Sequence, residues 1–122
     1  MAQYLQRPKG TQDALPSGIN KWHTVEQIVR DCAEQFGFRE IRTPVFEETG
    51  LYVRSVGDTS DVVTKEMYTV SSKGDQTFTL RPEGTAGVVR AMLENGVMNE
   101  GFPQKVYYVI PLSLIHISEP TR

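Results

Sequence analysis

Between Ile19 and Phe36, apolar residues return every three or four positions: Ile19, Trp22, Val25, Val29, Cys32 and Phe36. That period lays a stripe along one side of a helix and predicts an amphipathic helix over residues 17–36. Ser17, after Pro16, is the expected N-cap, and Gly37 the expected left-handed terminator. Trp22 and Phe36 are expected in the core, with Cys32 a small hydrophobe on the buried stripe. His23 beside Trp22 has no evident partner and reads as structural or solvent-facing. The period then drops to two. Phe38-Arg39-Glu40-Ile41-Arg42 alternates and predicts a strand, closed by Pro44, which has no N–H to give a ladder. Val45-Phe46 resumes extended backbone, and residues 49–56 predict a short helix. Met67-Tyr68-Thr69-Val70 and Thr77-Phe78-Thr79-Leu80 predict a hairpin with Lys73-Gly74-Asp75 at its tip. A second helix is expected over 83–95, with Pro82 at or beside its first position and Glu83 in the first turn. Its expected buried face is Val88, Val89, Met92 and Leu93, and Asn95-Gly96 ends it. Lys105-Val106-Tyr107-Tyr108-Val109-Ile110 is a strong strand former, expected to leave an exposed hydrophobic edge over 106–110. Residues 1–16 have no period and read as a loop. Helix, strand, hairpin, helix, strand in that order predicts an α+β fold with an antiparallel sheet, not βαβ alternation.

Composition narrows the function classes. At 122 residues the chain is one domain or part of one. A net charge of −2 argues against a domain held on nucleic acid by phosphate electrostatics alone. A single cysteine excludes a disulfide framework, and two histidines beside it supply no zinc set. Asp58, Asp61 and Glu66 match no Ca²⁺ loop and read as a solvated acidic loop, with Lys65-Glu66 a surface pair. No metal site is expected. No leader and no apolar run of about 18 residues is visible, so the expected location is cytoplasmic, with no membrane partner. Phosphate-binding glycine motifs are absent as well.

The most informative stretch is Thr79-Leu80-Arg81-Pro82-Glu83-Gly84-Thr85-Ala86-Gly87, where a strand ends and a helix begins. Polar groups at such a junction often face a cleft. The Glu83 carboxylate suits a ligand ammonium, the Thr85 hydroxyl stands two residues on, and Gly84 allows close approach to the backbone. The same residues also make an ordinary well-capped helix, and spacing alone leaves both readings open.

Four segments, in order, carry a resemblance to a family. They are Arg7-Pro8-Lys9-Gly10-Thr11-Gln12-Asp13; Gly37-Phe38-Arg39-Glu40-Ile41-Arg42-Thr43-Pro44-Val45-Phe46-Glu47; Lys65-Glu66-Met67-Tyr68; and the run from Thr79 to Ala86. Over residues 1–111 the chain resembles the N-terminal part of bacterial histidyl-tRNA synthetases, which are class II aminoacyl-tRNA synthetases. The resemblance implies a partial class II catalytic domain, an antiparallel sheet with flanking helices. It implies that Glu83, Gly84 and Thr85 bind the substrate histidine, Glu83 at the α-ammonium. It also implies that Phe38, Ile41 and Pro44 belong to motif 1, which builds a homodimer interface. The implied activity is histidine–tRNA ligation. The histidine carboxylate attacks the α-phosphate of ATP, with Mg²⁺ and arginines spreading the charge, and the histidyl group then passes to its tRNA.

The chain departs from that pattern late. The segment over 106–111 resembles the start of motif 2, but Ile110 stands where the family usually has Gly. The motif 2 and motif 3 arginines are absent, so catalytic residues are not assigned, and these 122 residues are expected neither to bind ATP and Mg²⁺ tightly nor to be active alone. Residues 112–122 resemble a translated sequencing adapter and are expected not to be native. Two other readings are a regulatory subunit of ATP phosphoribosyltransferase, a non-catalytic paralogue that usually departs from Glu-Gly-Thr, and a stand-alone dimerisation remnant.

Overall fold

The computed structural model describes residues 4–56, 66–101 and 104–113. The first helix, α1, runs Ile19–Gln35 and starts two residues later than the pattern predicts. Gly18, not Ser17, is its N-cap, and no side chain caps it. A turn precedes it instead, the Gly18 amide donating to the Leu15 carbonyl at 2.9 Å. At the far end Gly37 adopts φ +81°, as expected. There the Gly37 amide donates to Glu34 O and the Phe38 amide to Ala33 O, the paired bonds of a Schellman close.

The burial of α1 is the first correction. None of its residues is buried. Trp22 is 55% exposed, and Phe36 and Cys32 are exposed too. The reason is how the helix is turned. Its half-buried positions include Glu26 and Arg30, which line a polar cleft of about 310 Å³ with Glu40, Arg42 and Tyr107. The helix thus sets a polar side toward the neighbouring strands, and no described residue buries its apolar stripe.

Strand β1 (Arg39–Glu40) pairs in parallel with β5 (Val106–Tyr107), Arg39 opposite Val106 and Glu40 opposite Tyr107. The predicted six-residue strand therefore shortens to two residues, because the chain then turns toward Arg81. Only Val109 of the expected bare edge is exposed; Val106, Tyr107, Tyr108 and Ile110 are half-buried.

The main sheet is antiparallel, in the order β2 (Phe46–Glu48), β4 (Thr77–Leu80), β3 (Thr69–Ser71). Glu47 faces Thr79, and Thr79 faces Thr69, so these three share one side. The helix α2 (Thr49–Val56) matches its predicted bounds, and the hairpin turns at Gly74 with φ +96°. Both α2 and the helix α3 (Thr85–Glu94) cover the Glu47–Thr79 side: Thr79 Oγ1 donates to Thr49 Oγ1 at 2.9 Å, and Arg90 of α3 reaches Glu47. The other side carries Phe46 and Phe78, edge to face at 5.6 Å, and Val70. Strand alternation is therefore present, but the covered side is the polar one. A small core of Tyr52, Met67 and Ala86, with Leu51 against it, sits under the helices.

Helix α3 brings two further corrections. It starts at Thr85 with Gly84 as N-cap, so Pro82 and Glu83 precede it. Its buried residues are Ala86, Gly87, Val88 and Met92, whereas Val89 and Leu93 are exposed. The helix leans on its small residues toward Glu47, which rotates Val89 and Leu93 into an open cleft. Asn95 and Gly96 end it as expected, Gly96 at φ +67°. A 3₁₀ turn, Val97–Glu100, follows. Asp58, Asp61 and Lys65 lie outside the described residues; Glu66 is half-buried.

Candidate functional site

The turn between β4 and α3 is built around one arginine. Arg81 is 7% exposed, yet its guanidinium meets no carboxylate among the described residues. It donates instead to three carbonyls: Nε to Pro111 O at 3.0 Å, and Nη1 to Thr43 O at 3.2 Å and Pro44 O at 3.3 Å. Its own amide donates to Val45 O, and its carbonyl accepts from the Ser113 amide. A planar guanidinium presents up to five N–H donors in a fixed fork, whereas the lysine ammonium has three on a single rotating centre and does not reproduce that spread of acceptors. Arg81 thereby fastens three stretches of chain at the root of the turn.

Glu83 follows, half-buried, and its carboxylate folds back on the helix start. Oε2 accepts from the Thr85 amide at 2.8 Å and Oε1 from the Ala86 amide at 3.0 Å. This satisfies two of the four free amides of the helix start and places negative charge at its positive end. A carboxylate offers about four acceptor positions, so two remain for a ligand. The two readings of this motif are therefore compatible: Glu83 caps the helix and still presents a charge.

Gly84 is fixed by close approach, not by backbone angle. A Cβ there would lie 2.4 Å from Tyr108 Cε2 and 2.9 Å from Ile110 Cδ1. Thr85 is exposed, its Oγ1 3.1 Å from the Tyr108 hydroxyl. Glu83 and Thr85 line the same cleft of about 720 Å³ with Leu51, Val89, Arg90 and Leu93.

Behind the cleft lies a charged pair that the sequence pattern does not single out. Glu47 is 8% exposed. Arg90 Nη2 donates to its Oε2 at 3.1 Å, and Arg90 Nε stands 2.8 Å from Oε1. The bare Cα of Gly87 makes room, since a Cβ there would come within 3.0 Å of Glu47 Oε2. The Glu47 carboxylate raises the Arg90 pKa further above its ordinary value. Tyr52, 1% exposed, is pushed up to about 12, first by burial and then by the nearby charges of Glu47 and Glu83. Its hydroxyl therefore stays protonated at any ordinary pH.

The structure thus brings Glu83 and Thr85 to one cleft, whereas Gly84, buried between them, packs against Tyr108 and Ile110 and does not line it. Phe38, Ile41 and Pro44 lie apart from the cleft, along the β1 stretch. Lys105 Nζ sits 5.8 Å from the Phe38 ring centroid, the Ile41 amide donates to Tyr107 O at 3.0 Å, and Pro44, exposed, gives its carbonyl to Arg81. Arg81, Tyr108, Glu47 and Arg90 are what sequence reasoning missed. The partners that place them lie 23 to 43 residues away, and the one local pairing, Arg90 with Glu94 at i,i+4, does not point to Glu47.

Among the described residues no helix is long and apolar enough to cross a membrane. The sequence profile of the Histidyl-tRNA synthetase family matches residues 10–116. The histidine–tRNA ligase of Acetivibrio thermocellus is 55% identical over 105 residues, 86% of this chain and 25% of that protein. The crystal structure of apo histidyl-tRNA synthetase from Staphylococcus aureus superposes with TM-score 0.73 at 39% identity, covering 89% of this chain and 29% of that one. A Bacillus halodurans structure, described as an ATP phosphoribosyltransferase regulatory subunit/histidyl-tRNA synthetase, shares the fold with TM-score 0.78 at 19% identity, over 98% of this chain and 30% of that one. The chain spans about a quarter of the length of the curated relatives it matches. With the fold of a class II catalytic domain fragment and this profile over most of its length, the chain belongs to the histidyl-tRNA synthetase family.

Proposed function

We propose that this chain is the N-terminal, histidine-recognising part of a cytoplasmic homodimeric histidine–tRNA ligase, an enzyme that activates histidine with ATP and transfers it to tRNA(His). The observation that carries the reading is the placement of the Glu83 carboxylate and the Thr85 hydroxyl on one cleft, at a turn that Arg81 holds fixed. In this reading the free acceptor positions of Glu83 take the α-ammonium of histidine, and Thr85 helps hold the amino acid. Gly84 keeps the turn narrow enough for Tyr108 to close one side of it. These residues orient the nucleophile, which is a proximity contribution and moves no proton. Phe38, Ile41 and Pro44 belong to the subunit interface, and the exposed stripe of α1 lies on the same part of the chain.

Mg²⁺ would supply charge neutralisation on ATP when bound, and we place its ligands, with the arginines that meet ATP, in the remainder of the protein. These 122 residues alone neither activate histidine nor charge tRNA, and residues 112–122 are taken as non-native. The regulatory-subunit reading rests on likeness to a protein at 19% identity, which carries the fold alone. Retention of Glu83-Gly84-Thr85 favours the ligase.

The test joins residues 10–111 to the remainder of the Acetivibrio thermocellus ligase and follows histidine-dependent ATP–pyrophosphate exchange. Glu83→Gln removes a charge-assisted contact of about 1.5–3 kcal/mol and raises the KM for histidine roughly 10- to 100-fold, with KM for ATP unchanged. An unchanged KM for histidine overturns the assignment.

A further inference from the structure

The hydroxyl of Tyr108 stands 3.1 Å from that of Thr85, and the Tyr108 ring fills the space where Gly84 lacks a side chain. We propose that Tyr108 is a positioning residue for substrate histidine, aiming the Thr85 hydroxyl into the cleft; this rests on the proposed role of Glu83, Gly84 and Thr85.

Three observations support it. First, Tyr108 is held from both sides. One residue before it, β5 is locked to β1 by the Arg39 amide on Lys105 O and the Ile41 amide on Tyr107 O, each at 3.0 Å. Three residues after it, Pro111 O accepts from Arg81 Nε. The ring between these anchors has little freedom to slide. Second, the fit to the turn is tight enough to require glycine. A Cβ on Gly84 would sit 2.4 Å from Cε2 and 2.7 Å from Cζ of the ring, so ring and turn have to move together. Third, among the described residues the exposed Thr85 hydroxyl has this one side-chain partner.

The chemistry then follows from the donor inventory. A hydroxyl has one hydrogen and two lone pairs. An incoming ammonium brings only donors, so Thr85 must meet it as an acceptor. Its own hydrogen then needs another acceptor, and the Tyr108 oxygen is at hand. The arrangement Thr85 O–H to Tyr108 O leaves a Thr85 lone pair facing the cleft, beside the free acceptor positions of Glu83. Without the Tyr108 oxygen the Thr85 hydroxyl is free to rotate, and part of its orientation has to be fixed on binding.

The experiment uses the same joined, active ligase. Tyr108→Phe removes one oxygen and keeps the ring over Gly84. The expected result is a rise of about five-fold in KM for histidine, the worth of one neutral hydrogen bond, with kcat and KM for ATP unchanged. In a Thr85→Val background the same substitution adds less than two-fold, since the hydroxyl it orients is gone. Thermal midpoints of all three variants stay within 2–3 °C of the parent, roughly the shift of a sub-kcal/mol change. An unchanged KM for histidine in Tyr108→Phe overturns the proposal, and so does full additivity with Thr85→Val, or a fall in kcat with KM for ATP rising alongside. Failure of Glu83→Gln to raise the KM for histidine removes the underlying site assignment and this proposal with it; failure of Tyr108→Phe alone removes only this one.

Discussion

Arg90→Met separates charge pairing from packing at the Glu47 site. The substitution keeps a long apolar stem and removes the guanidinium that holds both Glu47 oxygens. Glu47 is 8% exposed, and the bare Cα of Gly87 closes another side of it, so the carboxylate is left without its cation in a mostly dry place. Breaking a fully buried pair costs about 3–5 kcal/mol because one charge remains uncompensated. Arg90 keeps 29% of its side chain in water, and its contact to Glu94, 68% exposed, contributes little. Water can enter where the guanidinium leaves, which brings the expected cost down to about 2 kcal/mol. For a chain of this size that lowers the midpoint by roughly 8 °C. Glu47→Gln, which leaves a neutral amide in the same shape and an arginine that keeps Glu94, costs about 1 kcal/mol. The double variant costs less than the sum of the two, since no buried charge remains. Urea unfolding of the 122-residue chain followed by circular dichroism reads all three, with unchanged m-values as the sign that only stability moved. Arg90→Met within about 0.5 kcal/mol of the parent, the range of an ordinary surface substitution, would show that Glu47 is not held in a dry pair.

Three further predictions concern the same frame. Gly84→Ala forces a methyl into the Tyr108 ring and Ile110, and an overpacked site of this kind costs about 1–3 kcal/mol in urea unfolding; a neutral result contradicts the close fit. Arg81→Lys replaces a fork on three carbonyls by a single ammonium and lowers stability by about 2 kcal/mol in the same assay, with Arg81→Met costing at least as much. The folded pKa of Tyr52, about 12, lies above its ordinary value of 10.0. Its protonated form therefore favours the fold: that contribution is complete below about pH 10 and is lost as pH rises through about 12. Tyr52→Phe accordingly flattens the alkaline fall in stability, and a fall that persists unchanged assigns it to other groups.

Much of the fold was legible in the sequence because its signals are local. The three-to-four spacing from Ile19 to Phe36, the hairpin at Gly74 and the stops at Gly37 and Gly96 are each set within a few residues. What each element packs against is not local. The stripe with Trp22 marks α1 as amphipathic, but no described residue buries it. Strand alternation correctly separates Phe46 and Phe78 from Glu47 and Thr79, yet the helices cover the polar side, where Thr79 is 0% exposed. The start of α3 moved from Glu83 to Thr85 because the Glu83 side chain, reaching forward, supplies the cap. Glu83 and Thr85 were visible as a motif. Arg81 was not, since a lone arginine between Leu80 and Pro82 gives no sign that its partners are carbonyls 30 to 38 residues away.

We propose that Glu83 and Thr85 recognise histidine for a ligase. The most direct test is the amino-acid dependence of ATP–pyrophosphate exchange by residues 10–111 joined to the remainder of the Acetivibrio thermocellus ligase, offered each amino acid in turn. Exchange is expected with histidine and background with the others. Exchange that ignores which amino acid is supplied, or no exchange while the unjoined Acetivibrio ligase is active, would contradict this assignment.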